Sequence, residues 1–166
     1  MSLIMLLAAA AQIESSPLLG VAAGRCRPNE PGPAFLVEAV GFRSRDGNVK
    51  LEAYPSNDTD FLADDSVLVS AGKIFRRVEI PIPRQGPVQL CIRVPRPGPY
   101  SLVLLHDVNA NHRFNVSTDG LGFPNNPTLG WSRPSAVATR AIAGPGLTRI
   151  RIIMNYRRGF SFRPLQ

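Results

Sequence analysis

From Ala34 onward, apolar and polar side chains alternate with a period of two, the spacing of the two faces of a β-strand. Phe35 to Phe42 (FLVEAVGF) is apolar on both faces, with Glu38 its one charge. The turn Arg43 to Asn48 follows, and its Asp46-Gly47 pair signals a hairpin. Val49, Leu51 and Ala53 then alternate with Lys50, Glu52 and Tyr54. Phe75 to Pro83 sets Val78, Ile80 and Ile82 inward and Arg77 and Glu79 outward. Gln85-Gly86-Pro87 turns the chain into a row of Val88, Leu90, Ile92 and Val94, with Cys91 facing out.

After the Pro95 to Pro99 turn, Tyr100 to Asp107 (YSLVLLHD) is apolar on both faces, which predicts a central strand. Ala136 to Ile142 and Leu147 to Tyr156 complete the set, divided by Gly144-Pro145-Gly146. Hairpin-length turns between about seven antiparallel strands predict an all-β fold, a β-sandwich with one long loop. Two connections are not short. Pro55 to Gly72 contains Asp58, Asp60, Asp64 and Asp65, which read as a solvated acidic loop around one helical turn, and Val108 to Ser135 shows no element. Loops of that length in a compact domain are often functional. There is no internal repeat.

The first residues, MSLIMLLAAAA, hold an apolar run from Leu3 to Ala11, the length of a signal-peptide core and too short to span a bilayer. Ala9 to Ala11 supply small residues for cleavage near Gln12, and Leu18 to Gly24 offers a later position. The run has no preceding Lys or Arg, so an uncut, mobile N-terminus is the competing reading. Residues 1–24 are therefore expected to be a signal peptide and flexible segment, 25–157 a single β-sandwich domain, and 158–166 a flexible basic tail. Cys26 and Cys91, the only cysteines, fit a disulfide in an exported protein, two free thiols being the alternative. Such a bridge staples the N-terminal segment across the outer face of the sheet. The expected location is periplasmic or secreted.

Several stretches resemble a bacterial family, domain of unknown function 2141, over roughly Ala34 to Tyr156. They are Gly41-Phe42-Arg43-Ser44 with Asp46-Gly47, Phe61-Leu62, Phe75-Arg76, and Gly98-Pro99-Tyr100 leading to His106-Asp107-Val108-Asn109-Ala110-Asn111. Gly122-Phe123-Pro124-Asn125-Asn126 completes the likeness, with Pro124 where the family usually has Ser. The resemblance implies an immunoglobulin-like or transthyretin-like sandwich in the cell envelope. It implies no chemistry, and a sandwich by itself hosts many functions.

The candidate chemistry lies in the long loop. Asp107-Val108-Asn109-Ala110-Asn111 matches the opening D-x-[DN]-x-[DN] of a calcium loop, whose alternating oxygens suit a hard cation. Position six, ordinarily Gly, is His112, and position twelve, ordinarily a bidentate Glu, is Thr118. Asn115 and Asp119 are the remaining candidate ligands, with Arg113 opposing a cation. The other reading makes Asp107, Asn109 and Asn111 Asx-turn residues whose side chains hold backbone N–H groups. His106 follows Tyr100, Leu102 and Leu104 on the inward face, which predicts a hydrogen-bonded histidine at the edge of the core. No G-x-S-x-G elbow accompanies the His106-Asp107 pair, so a catalytic triad is not supported, and the chain is read as non-enzymatic. Phe123, Asn125, Asn126 and Trp131, with His106, are the loop's ligand candidates; Leu121, Phe123 and Trp131 either plug one end of the sandwich or face a ligand. No cofactor is expected beyond an ion at this loop.

Charge changes the picture least. Of 19 basic residues only Lys50 and Lys73 are lysines, and the net charge is +7. Lys50, Arg77, Arg93, Arg149 and Arg151 fall at outward strand positions, which predicts the solvated side of a sandwich. No recognition helix, RNA-binding aromatic motif or zinc finger accompanies them, so nucleic acid is not an expected partner. An envelope protein or glycan is, with a weak pull toward anionic envelope surfaces, to which the Tyr156 to Arg163 mixture of cations and aromatics adds. The sequence supports a binding or interaction module of the envelope, or a weak calcium- or small-ligand-binding domain built on the 106–111 loop.

Overall fold

The structure, a computed structural model, describes residues 13–165, so the apolar run proposed as a signal-peptide core lies outside the described residues. Along the chain run α1 (Val21–Gly24), β1 (Ala34–Val40), β2 (Asn48–Pro55), α2 (Asp65–Ser70), β3 (Arg76–Pro81) and β4 (Val88–Arg93). They are followed by β5 (Gly98–Asp107), β6 (Gly120–Gly122), β7 (Arg140–Ala143), β8 (Leu147–Arg158) and β9 (Ser161–Pro164). The fold is all-β, and the strand order β3-β2-β5-β6-β8-β1-β4 wraps into a nearly closed, barrel-like sheet.

Strand β5 is the spine. It pairs with β2 from Tyr100 to Asp107, while its other edge takes β7 at its start and β6 at its end. Every residue from Tyr100 to Asp107 is buried, as expected of a central strand. The long β8 carries the sheet round its corner. Leu147 to Ile153 lies parallel to β1, and Met154 to Tyr156 pairs antiparallel with β6.

Several expectations are corrected here. Nine strands among the described residues replace about seven, and β1–β8 is a parallel pair in a sheet expected to be antiparallel. The 108–135 stretch contains β6, a three-residue strand that completes the wall between β5 and β8. Its glycines permit the fit, since a Cβ on Gly120 would stand 2.6 Å from the Tyr156 ring. The basic tail is β9, which pairs with β8 and buries Phe162. The N-terminal segment is held from Ser16 onward: Arg77 donates its backbone N–H to the Gly20 carbonyl at 3.2 Å and Nη1 to that of Ser16 at 2.8 Å.

Two apolar clusters result. The first fills the inside of the sheet with Phe35 and Val37 of β1, Val49 and Leu51 of β2, Leu90 and Ile92 of β4, Leu102 and Leu104 of β5, and Ile152, Met154 and Tyr156 of β8. The second lies on the opposite face of β2 and β5, where Tyr54 and Val103 meet Phe61, Leu68, Phe75, Phe123, Leu129 and Phe162. Alternation accounts for both: odd positions of β2 face one cluster and even positions the other.

Cys26 and Cys91 form a disulfide with Cα atoms 5.8 Å apart. Arg25 bridges Ile92, so the bond fastens the N-terminal segment along the free edge of β4 rather than across its face. No helix among the described residues is long and apolar enough to cross a membrane. The disulfide is the chemistry of an oxidising compartment. It links positions 65 apart, and closing a loop of that length restricts the unfolded chain by about 4 kcal/mol. The double variant Cys26→Ser, Cys91→Ser is expected to melt about 10 °C lower by differential scanning calorimetry. An unchanged melting temperature would remove the disulfide from the account of stability.

Candidate functional site

The Arg43 to Asn48 turn, the His106-Asp107 pair and the long loop converge at the Asp107 end of β5. His106 is fully buried. Its Nε2–H donates to the Asp46 carbonyl at 2.8 Å, and Nδ1 accepts from the Tyr156 hydroxyl at 2.6 Å. Tyr156 Oη in turn accepts the Arg43 backbone N–H at 3.1 Å, and the Arg43 guanidinium lies 4.6 Å from the Tyr156 ring centroid. Burial pushes His106 below the ordinary histidine value against the pull of the Asp46 carbonyl, in keeping with a neutral ring. Burial also pushes the Tyr156 hydroxyl up to about 12, so it stays a donor. Both ring nitrogens are thus committed to fastening the β1–β2 turn to β5 and β8. Gly47 makes the approach feasible: a Cβ there would run into the Asp107 and Val108 carbonyls.

The Asp-Asn loop is built the same way. Asp107 and Asp119 are each 1% exposed. Asp107 accepts the Asn111 and His112 N–H groups at 3.2 and 2.7 Å. Asp119 accepts those of Val108 and Asn115 at 3.2 and 2.7 Å, and the Thr118 hydroxyl at 3.1 Å. Asn111 and Asn115 close smaller turns by accepting from the N–H groups of Arg113 and Ser117. Asn109 points to solvent. These bonds are the Asx-turn arrangement, with the two carboxylates satisfying backbone donors of the loop.

The outer face of β2 and β5 holds what alternation alone misplaces. Glu52 and Arg77, directly opposed in the β2–β3 register, are 7% and 8% exposed. Arg77 donates Nε to Glu52 Oε1 at 2.7 Å and reaches Asp65 Oδ2 at 3.1 Å. Tyr54 Oη donates to Glu52 Oε2 at 2.7 Å, and Lys50 Nζ lies 3.5 Å from Oε1. Burial raises the Tyr54 phenol, and the neighbouring Glu52 carboxylate raises it further. Burial alone would lower Arg77, but Glu52 and Asp65 outweigh it and hold it above its usual value. Lys50 and Arg77 are therefore not part of a solvated face, whereas Arg149 and Arg151 are exposed as expected. The acidic loop is corrected too. Asp64 caps α2, Asp60 pairs with Lys73, Asp65 with Arg77, and Asp58 accepts the Ala136 N–H at 2.7 Å.

Beside this charge cluster opens a cavity of about 390 Å³. Its floor is Lys50, Glu52, Val103 and Leu105; its walls are Phe114, Val116, Leu121, Phe123 and Leu129, with Phe162 from β9. Trp131 and Arg133 stand in the 130–134 rim. Trp131 is 64% exposed, with the Arg157 guanidinium 5.6 Å from its ring centroid, and Phe114 is 46% exposed. Arg133 is fixed by donating to the Phe61 and Asp58 carbonyls, both at 2.7 Å.

The family model described as "Uncharacterized protein conserved in bacteria (DUF2141)" matches residues 37–149, more than half of the chain. The chain belongs to this bacterial family. No curated protein and no solved structure matches it. In this DUF2141 protein the matched span runs from β1 into β8 and takes in His106 with the Arg43–Asp46 turn, the Asp-Asn loop and most of the cavity wall, while Tyr156 lies beyond it.

Of the residues singled out from sequence, Phe123 and Trp131 line the cavity. His106 lies on the other face of β5, and Asn125 and Asn126 serve the turn after β6: Asn125 donates to the Ala138 and Arg140 carbonyls, and Asn126 accepts from Asn155. Lys50, Glu52 and Arg77 were legible as an outward row but not as a covered one.

Two substitutions test the fastenings. Tyr156→Phe strands His106 Nδ1 and the Arg43 N–H and is expected to cost about 1–3 kcal/mol in urea denaturation. Arg77→Met leaves Glu52 and Asp65 without their shared cation and is expected to cost roughly 3–5 kcal/mol by the same measurement. A loss below half of one kilocalorie in Arg77→Met would place the pair outside the buried class (about the value of surface pairs).

Proposed function

We propose that this protein is a non-enzymatic binding module of the bacterial cell envelope, exported to the periplasm or beyond, that takes an apolar ligand or side chain in the cavity between the 108–135 stretch and the outer face of β2 and β5. The cavity carries the reading. Its 390 Å³ falls in the range of small-molecule sites, and its lining combines an apolar wall with a few fixed polar groups. Trp131 and Phe114 leave apolar ring surface exposed side by side with this cavity, which a bound apolar group would cover. The Cys26–Cys91 disulfide supports export.

The non-enzymatic part rests on how the reactive-looking groups are used. His106 has no ring nitrogen to spare, and Asp107 and Asp119 hold loop backbone. A general base must reach a substrate proton, and His106 is sealed in the core.

Trp131 is the sole tryptophan, so its emission reports on the rim directly. Titration with the neutral apolar probe N-phenyl-1-naphthylamine is expected to quench Trp131 by energy transfer and brighten the probe. Leu105→Phe, which fills the floor, is expected to weaken binding about tenfold, equivalent to ~1.4 kcal/mol. Probe affinity identical in wild type and Leu105→Phe would show that the probe sits elsewhere and would end this reading.

A further inference from the structure

We infer that Glu79, Asp107 and His112 form a site for a divalent transition-metal ion of the zinc type, on the side of the sheet edge where the Asp-Asn loop meets β3. One donor atom from each of the three side chains lies within 4.8 Å of the others. His112 Nδ1 and Glu79 Oε1 are 3.3 Å apart, about the separation of two ligands on a tetrahedral ion with bonds of ~2.0 Å. A pair of carboxylates with one imidazole is a donor set for zinc and its neighbours rather than for calcium, which takes six to eight oxygens.

The ligands are already aimed. Asn48 Nδ2 donates to Glu79 Oε1 at 2.8 Å, and the Asn111 and His112 N–H groups donate to Asp107. Each carboxylate oxygen keeps a second lone pair for an ion, and such outer hydrogen bonds are what orient ligating carboxylates. His112 occupies the position where a calcium loop needs Gly, so the residue that spoils the calcium pattern is the one that supplies nitrogen.

A second observation concerns two of the three ligands. Glu79 and His112 line a cavity of about 140 Å³ together with Asp65, Lys50 and Arg77. Asp65 is 7% exposed, and its Oδ1 is buried without a hydrogen-bond partner among the described residues. No thiol competes, because both cysteines are in the disulfide, and the only other imidazole, His106, is sealed in the core. The three ligands lie outside the lining of the apolar cavity, although Lys50 borders both, and the site does not depend on that cavity binding anything.

The test is calorimetric titration of Zn²⁺ into the tag-free, disulfide-bonded chain after chelator treatment. One ion per chain is expected, with a rise in melting temperature. His112→Asn, with a side chain that tolerates the φ of 61° at this position, and Glu79→Gln are each expected to weaken zinc binding at least tenfold. Both should keep the metal-free melting temperature within a few degrees, which separates ligand loss from misfolding. If either variant fails that control, Co²⁺ absorption of the wild type decides: a tetrahedral imidazole–carboxylate spectrum supports the site and an aquo-ion spectrum overturns it. No zinc binding by the wild type, equal affinity in wild type and variants, or tighter binding of Ca²⁺ than of Zn²⁺ would each overturn the inference.

Discussion

Strand β5 cannot show either face to water. One face carries Leu102, Leu104 and His106, the other Ser101, Val103 and Leu105, and all are buried. A sheet built around such a strand needs a second layer on its outer side, and with only two short helices among the described residues that layer is made from connections. The 56–63 loop, α2, the 123–136 stretch and β9 all fold over the outer face of β2 and β5 to supply Phe61, Leu68, Phe123, Leu129, Ala136 and Phe162. The cavity is where that improvised layer does not close. Its floor is strand and its roof is loop, so its shape depends on how Trp131 and Phe114 are held, and not on the sheet.

Glu52 and Arg77 belong to the same constraint. Once the outer face is covered, any charge on it is desolvated, and a lone one would be costly. The register puts Glu52 opposite Arg77, and α2 delivers Asp65 to the second side of the guanidinium. The Arg fork is suited to this, since it reaches two carboxylates and the Ser16 carbonyl at once. Removing one of these three charges is costlier than replacing them all by well-packed apolar side chains, because it leaves the others buried and unpaired.

How much of this was legible follows from what periodicity encodes. Alternation marks which face a residue belongs to, so the inward rows of β2, β4 and β5, the core position of His106 and the outward Cys91 were readable. Alternation carries nothing about whether the outer face is covered, and that is why Arg77 and Lys50 read as solvated. The three residues Gly120-Leu121-Gly122 are too short for a period, and their strand is set by neighbours far away in sequence. The parallel pairing of β1 with β8 was hidden for the same reason. Of the site, Phe123 and Trp131 were visible as unexplained apolar residues in a long loop. The floor beneath them was not, because Lys50 and Glu52 are polar letters in a strand.

The arginine excess ends with a structural account. A guanidinium can fasten a loop by donating to carbonyl oxygens, which carry no formal charge and so call for no acidic partner. Arg45 Nη1 donates to the Pro83 and Gly86 carbonyls at 3.0 Å each, tying the β1–β2 turn to the β3–β4 turn. Arg133 holds the 56–63 loop through two carbonyls, and Arg140 holds Ser56 through its hydroxyl and carbonyl. Arg133 and Arg140 each use two different guanidinium nitrogens, a span that the single ammonium of lysine lacks. A chain that makes its second layer from loops therefore accumulates arginines faster than carboxylates. The positive charges of Arg45, Arg133 and Arg140 follow from how those loops are held down.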